Sequence, residues 1–247
     1  MRFRNFAYAL TVVALAIMSG ASVTGRQTTI TVCASGCDQT NLQTAIDAAV
    51  CGDTIVLDAD ETYTGNWQLT NTAVCATRIT IKGNAAPGDL PAAGERAGVG
   101  RTISVGGVDI NTPDHRAFMP NVQASAGGLP AIRTVAGARD YAFEGIEFLS
   151  NPAGFNVILE IGVNTSAQRT VDQQPRNISF DRVIVSGDDY FGQKVGIDMN
   201  GANIAITNSW LEKMAGVGQD AIAVRSINGS GPLTIENNFI EGAAENM

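Results

Sequence analysis

Four stretches of the chain share one spacing: Tyr141-Ala-Phe-Glu-Gly-Ile-Glu-Phe148, Ile178-Ser-Phe-Asp-Arg-Val-Ile-Val185, Ile204-Ala-Ile-Thr-Asn-Ser-Trp-Leu211 and Leu233-Thr-Ile-Glu-Asn-Asn-Phe-Ile240. Each reads apolar-x-apolar-x4-apolar. The alternation at the start of each copy has period two, which is the signature of a strand with one buried face, and the break before the last apolar residue is a turn. The starts lie 37, 26 and 29 residues apart, in the range of a solenoid repeat.

The first three copies are each followed by another alternating run: Val157 to Ile161, Val195 to Met199, and Ala221 to Val224. Three strands per coil is the expected architecture. A coil of three short strands cannot bury its inner face alone, so coils must stack about 4.8 Å apart with their strands in parallel register. The unequal spacing falls to loops such as Thr165 to Arg176 and Ser186 to Lys194, which project from the column. The turn position two residues past the middle apolar residue is occupied by Gly145, Arg182, Asn208 and Asn237. Asn and Gly tolerate the tight bend needed there, and Asn208 and Asn237 are either a stacked amide ladder or two separate turn residues.

Nearer the N-terminus, Asn41 precedes a helical pattern with apolar Leu42, Ala45, Ile46 and Ala49, and serves as its N-cap. Strands follow at Thr54 to Leu57 and Arg78 to Lys82. Between about Asn84 and Pro130, Gly, Pro and Ala dominate, which reads as a long excursion with at most short strands, such as Thr102 to Val105. The segment Leu42-Gln-Thr-Ala-Ile-Asp-Ala-Ala-Val-Cys-Gly-Asp-Thr-Ile-Val-Leu57 resembles the N-terminal cap helix and first coil of right-handed parallel β-helix proteins of the pectate-lyase-like superfamily. The segment Gly231-Pro-Leu-Thr-Ile-Glu-Asn-Asn-Phe-Ile-Glu241 resembles one of their coils. The expected fold is therefore an all-β, right-handed parallel β-helix of three-strand coils with a short N-terminal cap helix, one domain over residues 28–247. The spacing puts the third strand of the fourth copy beyond Met247, so the column is expected to be cut within that coil.

Arg2 and Arg4 precede the apolar run Phe6 to Met18 and the small residues Ser19, Gly20 and Ala21, the order of a secretory signal peptide over residues 1–21. The run is shorter than the roughly 20 residues that span a bilayer, so no membrane span is expected in the mature chain. The whole chain carries 16 basic and 24 acidic residues, a net charge of −8. Loss of Arg2 and Arg4 leaves 14 against 24, or −10. No cluster of Lys and Arg is available to neutralise phosphates, which excludes nucleic acid as a partner. Cys33, Cys37, Cys51 and Cys75 form an even set in an exported chain and predict two disulfides of undetermined pairing.

Outward residues on the third strands include Glu160 and Asp198, with Arg225 one coil further and slightly offset. Two stacked carboxylates can share a Ca²⁺ ion, or hold one raised pKa for use as a base. With an arginine they form a minimal set for β-elimination from a uronate. Asp188-Asp189, in Gly187-Asp-Asp-Tyr190, resembles the paired aspartates of β-helix polygalacturonases, which implies a second candidate pair for glycoside hydrolysis. The Gly-His-Gly of that family is absent, since His115, the one histidine, sits in Pro113-Asp-His-Arg116. The Trp-Ile-Asp-His and Arg-x-Pro-x-x-Arg segments of pectate lyases are absent too, so their catalytic residues do not transfer. Lys213 and Asp220 are candidate sugar contacts. Trp210 is the best placed aromatic platform, outward by the template and one residue before inward Leu211.

These residues and the resemblance imply a secreted protein that binds an acidic polysaccharide and cleaves it by elimination. The competing reading is a non-catalytic surface, adhesion or carbohydrate-binding scaffold.

Overall fold

The computed structural model describes residues 27–150, 156–188, 190, 192–216, 218 and 220–244. The proposed signal peptide lies outside them. Strand β1 (Thr29–Val32) and helix α1 (Leu42–Ala48) begin the described chain. The first coil is β2 (Thr54–Leu57), β3 (Thr62–Thr64) and β4 (Trp67–Leu69). The second starts with β5 (Ile79–Gly83), leaves the column through a hairpin of β6 (Thr102–Val105) and β7 (Val108–Asn111), and returns with β8 (Asn121–Gln123) and β9 (Ile132–Thr134). The third is β10 (Arg139–Glu144), β11 (Glu147–Leu149) and β12 (Val157–Ile161). The fourth is β13 (Arg176–Asp181), β14 (Ile184–Ser186) and β15 (Val195–Met199), and the fifth is β16 (Ala202–Thr207), β17 (Trp210–Met214) and β18 (Ile222–Arg225). Strands β19 (Leu233–Glu236) and β20 (Phe239–Gly242) stack last.

Corresponding strands pair in parallel into three sheets, ordered β1-β2-β5-β10-β13-β16-β19, β3-β8-β11-β14-β17-β20 and β4-β9-β12-β15-β18. The chain is thus an all-β parallel β-helix. Its register follows the sequence template: Tyr141, Ile178, Ile204 and Leu233 are successive partners, as are Phe148, Val185, Leu211 and Ile240. All of these except Leu233 and Ile240, in the last strands, are buried. Inside, the Phe143 and Phe180 rings stack at 5.0 Å, and Phe148 meets both edge-on at 5.8 and 6.1 Å. Aromatic stacking between coils adds to the burial that holds them together.

The turn between the first and second sheets demands left-handed backbone at one residue per coil. Gly145, Arg182, Asn208 and Asn237 have φ of 60°, 53°, 54° and 52°. Asn237 Nδ2 donates to Asn208 Oδ1 at 2.8 Å, and Asn208 Nδ2 donates to Asp181 Oδ1 at 2.7 Å, so the amide ladder is formed. A second polar ladder lies at the other end of the first sheet. There Asp140, Asn177 and Asn203 also have positive φ; Asn203 Nδ2 donates to Asn177 Oδ1 at 3.2 Å, and Asn177 Nδ2 donates to Asp140 Oδ1. Burial disfavours the Asp140 carboxylate, yet hydrogen bonds from Asn177, the Cys75 N–H and Arg139 outweigh it and hold its pKa below the usual range.

The column includes two complete coils before Tyr141. One expectation is corrected by the topology: the Gly- and Pro-rich excursion is shorter than residues 84–130, because β8 and β9 pair within the second and third sheets. Between β5 and β8 the excursion folds over the second sheet, where Ala97, Val99 and Met119 pack with Ile184 and Trp210.

At the other end α1 is capped as the sequence predicts, with Asn41 Oδ1 accepting from Thr44 N at 3.1 Å. Gln43 on this helix accepts from Gln68 N at 2.7 Å and donates to Gln68 O at 2.9 Å. It covers part of the β4 edge, which would otherwise be open to strand addition. The disulfides join Cys33 to Cys37 and Cys51 to Cys75, with sequence separations of 4 and 24.

Loop-closure entropy ranks these bridges. Replacing Cys51 and Cys75 by alanine is expected to cost about 3 kcal/mol, and replacing Cys33 and Cys37 about 2 kcal/mol. Denaturant unfolding of the two double variants checks this, and the opposite order would refute the entropic account.

Candidate functional site

The three outer faces of the column differ in what they offer a ligand. The first sheet presents a row of small neutral residues, Thr54, Thr80, Ala142, Ser179, Ala205 and Thr234. The second sheet is covered in part by the 84–120 insertion. The third sheet carries an outward row of Gln68, Arg133, Glu160, Asp198 and Arg225, one residue per strand from β4 to β18. Local alternation sets this orientation. Leu159 and Ile161 flank Glu160, Ile197 and Met199 flank Asp198, and all four flanking side chains are buried in the core.

The row brings together Glu160, Asp198 and Arg225, as the sequence predicts. Arg225 is directly opposite Asp198 rather than offset, because β18 begins one residue later than the predicted strand. Its Nε and Nη2 donate to Asp198 Oδ1 and Oδ2, both at 2.7 Å. Asp198 is 4% exposed, so this two-point pair is largely shielded from water.

Glu160 is partly buried, and among the described residues its carboxylate has no hydrogen bond or salt bridge. Burial raises its pKa first and the charge of Asp198 raises it further, while Arg133 and Arg225 pull the other way. The result is an available carboxylate of increased basicity between cations on both sides of the row. Arg133 was not anticipated. Its signal was the step Ile132-Arg133, an apolar residue followed by a charge, 27 residues before Glu160, the same interval that separates Asp198 from Arg225.

A Ca²⁺ ion shared by Glu160 and Asp198 fits this arrangement poorly, because both Asp198 oxygens already accept from a cationic guanidinium. Among the described residues, the acidic or sulfur groups that approach metal-binding geometry are Cys33, Asp58 and Glu61, and Cys33 is held in a disulfide.

The remaining predicted residues lie elsewhere. Trp210 points away from the column as expected, but it is fully buried and stacked on Phe239 at 4.0 Å, with Nε1 donating to Glu212 Oε2 at 2.8 Å. The insertion covers it, so it offers no open ring to a sugar. Lys213 belongs to the second sheet and lines a cavity with Arg101 and Glu241. Asp220 is exposed ahead of β18. Asp188 Oδ1 accepts from Tyr190 N at 2.8 Å, and Asp189 falls outside the described residues.

Sequence reasoning also missed two carboxylates on the second sheet. Glu212 is fully buried and accepts from Arg101 of the insertion at 2.9 Å. Glu147 accepts from Ser186 Oγ at 2.9 Å, and burial raises its pKa. Both clamp or underlie the insertion, and neither faces an open surface.

No protein-family model matches the chain, and no curated protein matches it in sequence. Among solved structures, an alginate lyase from Paenibacillus sp. str. FPU-7 aligns with a TM-score of 0.48 and 13% identity, over 85% of this chain and 57% of that one. The chain thus spans little more than half of that enzyme's length, and a likeness at this level assigns no activity.

The charge row makes a signed prediction. Removing the Asp198 charge with Asp198→Asn lowers the Glu160 pKa, and removing the cation with Arg225→Gln raises it. Titration of the Glu160 carboxyl carbon by NMR reads both, and a pKa unmoved by either change would contradict the row.

Proposed function

We propose that the chain is a secreted β-helix protein that holds an acidic polysaccharide along the outer face of the third sheet and cleaves it by β-elimination. The observation that carries this reading is Glu160: an unpaired, partly buried carboxylate with a raised pKa, set between Arg133 and the Asp198–Arg225 pair. Two disulfides support export, because such bonds persist in oxidising compartments.

Elimination requires removal of the proton on the carbon next to a uronate carboxylate. Arg133 or Arg225 neutralises that carboxylate and so acidifies the neighbouring C–H. Glu160 takes the proton, the C–H electron pair becomes the new C=C bond, and the glycosidic oxygen leaves with its bonding pair. The leaving oxygen then receives a proton from Glu160 or water. A base with a raised pKa suits this role, because basicity and ionisation are then balanced nearer to neutral pH. In this scheme Asp198 is a positioning residue that holds the Arg225 guanidinium while leaving its Nη1 group unengaged by that pair.

One observation favours a binding scaffold without turnover: Asp198 already engages two donors of Arg225, which leaves fewer for a substrate. The test uses the full chain and a panel of uronate polymers, including polygalacturonate, alginate and hyaluronan. Appearance of the ultraviolet absorbance of an unsaturated uronate end is expected, and Glu160→Gln should lower the rate about 100-fold or more with the fold retained. Binding without product would select the scaffold, and an undiminished Glu160→Gln rate would remove Glu160 from the chemistry.

A further inference from the structure

The row on the third sheet runs into a cavity at its N-terminal end. This cavity has a volume of about 310 Å³ and is lined by Gln68, Thr134, Val135, Val163, Gln168 and Gln173, among others. Gln68 is in the row itself, paired in register with Arg133, which is paired with Glu160. Two strand spacings, roughly 10 Å, separate Gln68 from Glu160. That distance corresponds to two sugar residues along a chain, so the ring at Gln68 is the second neighbour of the one at Glu160.

Among the described residues, no charged residue lines the cavity. Two other cavities on the column are different: one of about 520 Å³ includes Lys82, Glu95, Glu144 and Arg182, and one of about 590 Å³ includes Arg101, Lys213 and Glu241. Of these three cavities, the one continuous with the row has the neutral lining.

Its hydrogen-bonding capacity is partly committed and partly open. Gln168 is committed to the wall: Nε2 donates to the carbonyls of Asn200 and Asn228 at 2.7 and 2.8 Å, and Oε1 accepts from Val163 N at 3.1 Å. Gln173 Oε1 accepts from Arg169 N and Thr170 N at 2.7 and 3.0 Å, which leaves its Nε2 group to donate. Thr134 Oγ1 accepts from Gly162 N at 2.9 Å and retains its own O–H donor. The side-chain amide of Gln68 has no hydrogen-bond partner among the described residues, so it offers both a donor and an acceptor. Hydroxyl groups, which donate and accept at once, match this set. The aliphatic walls Val135 and Val163 suit the C–H face of a pyranose ring. A carboxylate entering the same space would lose water and find no cation in the lining, and the nearest one in the row, Arg133, lies between Gln68 and Glu160, where the uronate at Glu160 engages it; that loss of water is costly.

We propose that this cavity is a neutral-sugar subsite, so that the polymer held along the row presents a uronate beside Glu160 and an uncharged sugar at Gln68. The inference rests on the placement of a uronate polymer along the row, and it narrows the substrate class to polysaccharides in which uronates are interspersed with neutral sugars. A homopolymer of uronates would put a carboxylate into the cavity. Discrimination by an unpaired buried charge is the corresponding specificity device.

The test separates binding from turnover. Affinities are measured by calorimetry on the Glu160→Gln protein, which holds ligand without consuming it. The probes are gellan oligosaccharides, in which each glucuronate is separated from the next by three neutral sugars so that its second neighbour is uncharged, and oligogalacturonates of equal length. The gellan probe is expected to bind about tenfold more tightly or better, from one avoided unpaired charge. The combined Gln68→Ala and Gln173→Ala changes should reduce that ratio to near unity. Equal or tighter binding of oligogalacturonate, or a preference that survives both substitutions, overturns the subsite. Product formation by the unmodified protein reports separately on elimination, so loss of the catalytic reading would be distinguishable from loss of the subsite.

Discussion

In-register stacking of parallel strands is the constraint on which the rest of the structure depends. Neighbouring strands lie about 4.8 Å apart, and every side chain has its counterpart in the next coil as its neighbour. Inside the column this rule joins Phe143 to Phe180, and at the turn it joins Asn208 to Asn237. Outside it makes a linear array of whatever residues follow the inward aliphatics. A slip of one residue would turn such an array into the core, so the buried partners also enforce the outer row.

The same rule explains the charge row on the third sheet. Stacked like charges repel, and the row offsets this with a cation on either side of the carboxylate pair: Arg133 below Glu160 and Arg225 above Asp198. The neutralisation is uneven. Asp198 receives two strong hydrogen bonds, whereas Glu160 receives none, so the neighbouring carboxylates acquire different roles. On the second sheet the carboxylates have another use. Glu212 accepts from Arg101 of the insertion and from Trp210 beneath it, which removes that part of the face from contact with solvent.

The coils from Tyr141 onward were legible because their strands keep the apolar spacing while variation is confined to loops. The earlier coils were obscured. A single coil there contains the insertion between β5 and β8, and the three-residue strands β8 and β9 are too short to show a period against the surrounding Gly and Pro. Trp210 illustrates a different limit. Alternation tells which way a side chain leaves its own strand, but it says nothing about a remote segment folded over it. The charge row was half legible: Glu160 and Asp198 followed from local patterning, whereas the exact opposition of Arg225 to Asp198 required the register. Arg133 and Gln68 required both the register and the recognition of β4 and β9 as column strands.

The central claim is that register, acting through the core, places Asp198 and Arg225 opposite each other in a row with Glu160. A double-mutant cycle in denaturant unfolding, using Asp198→Asn, Arg225→Gln and the combined variant, measures their interaction directly. The account predicts a coupling of about 0.5–3 kcal/mol, as for residues in one hydrogen-bonded ion pair. Strict additivity of the two single changes would contradict it, because residues displaced to different rows or faces have no such coupling.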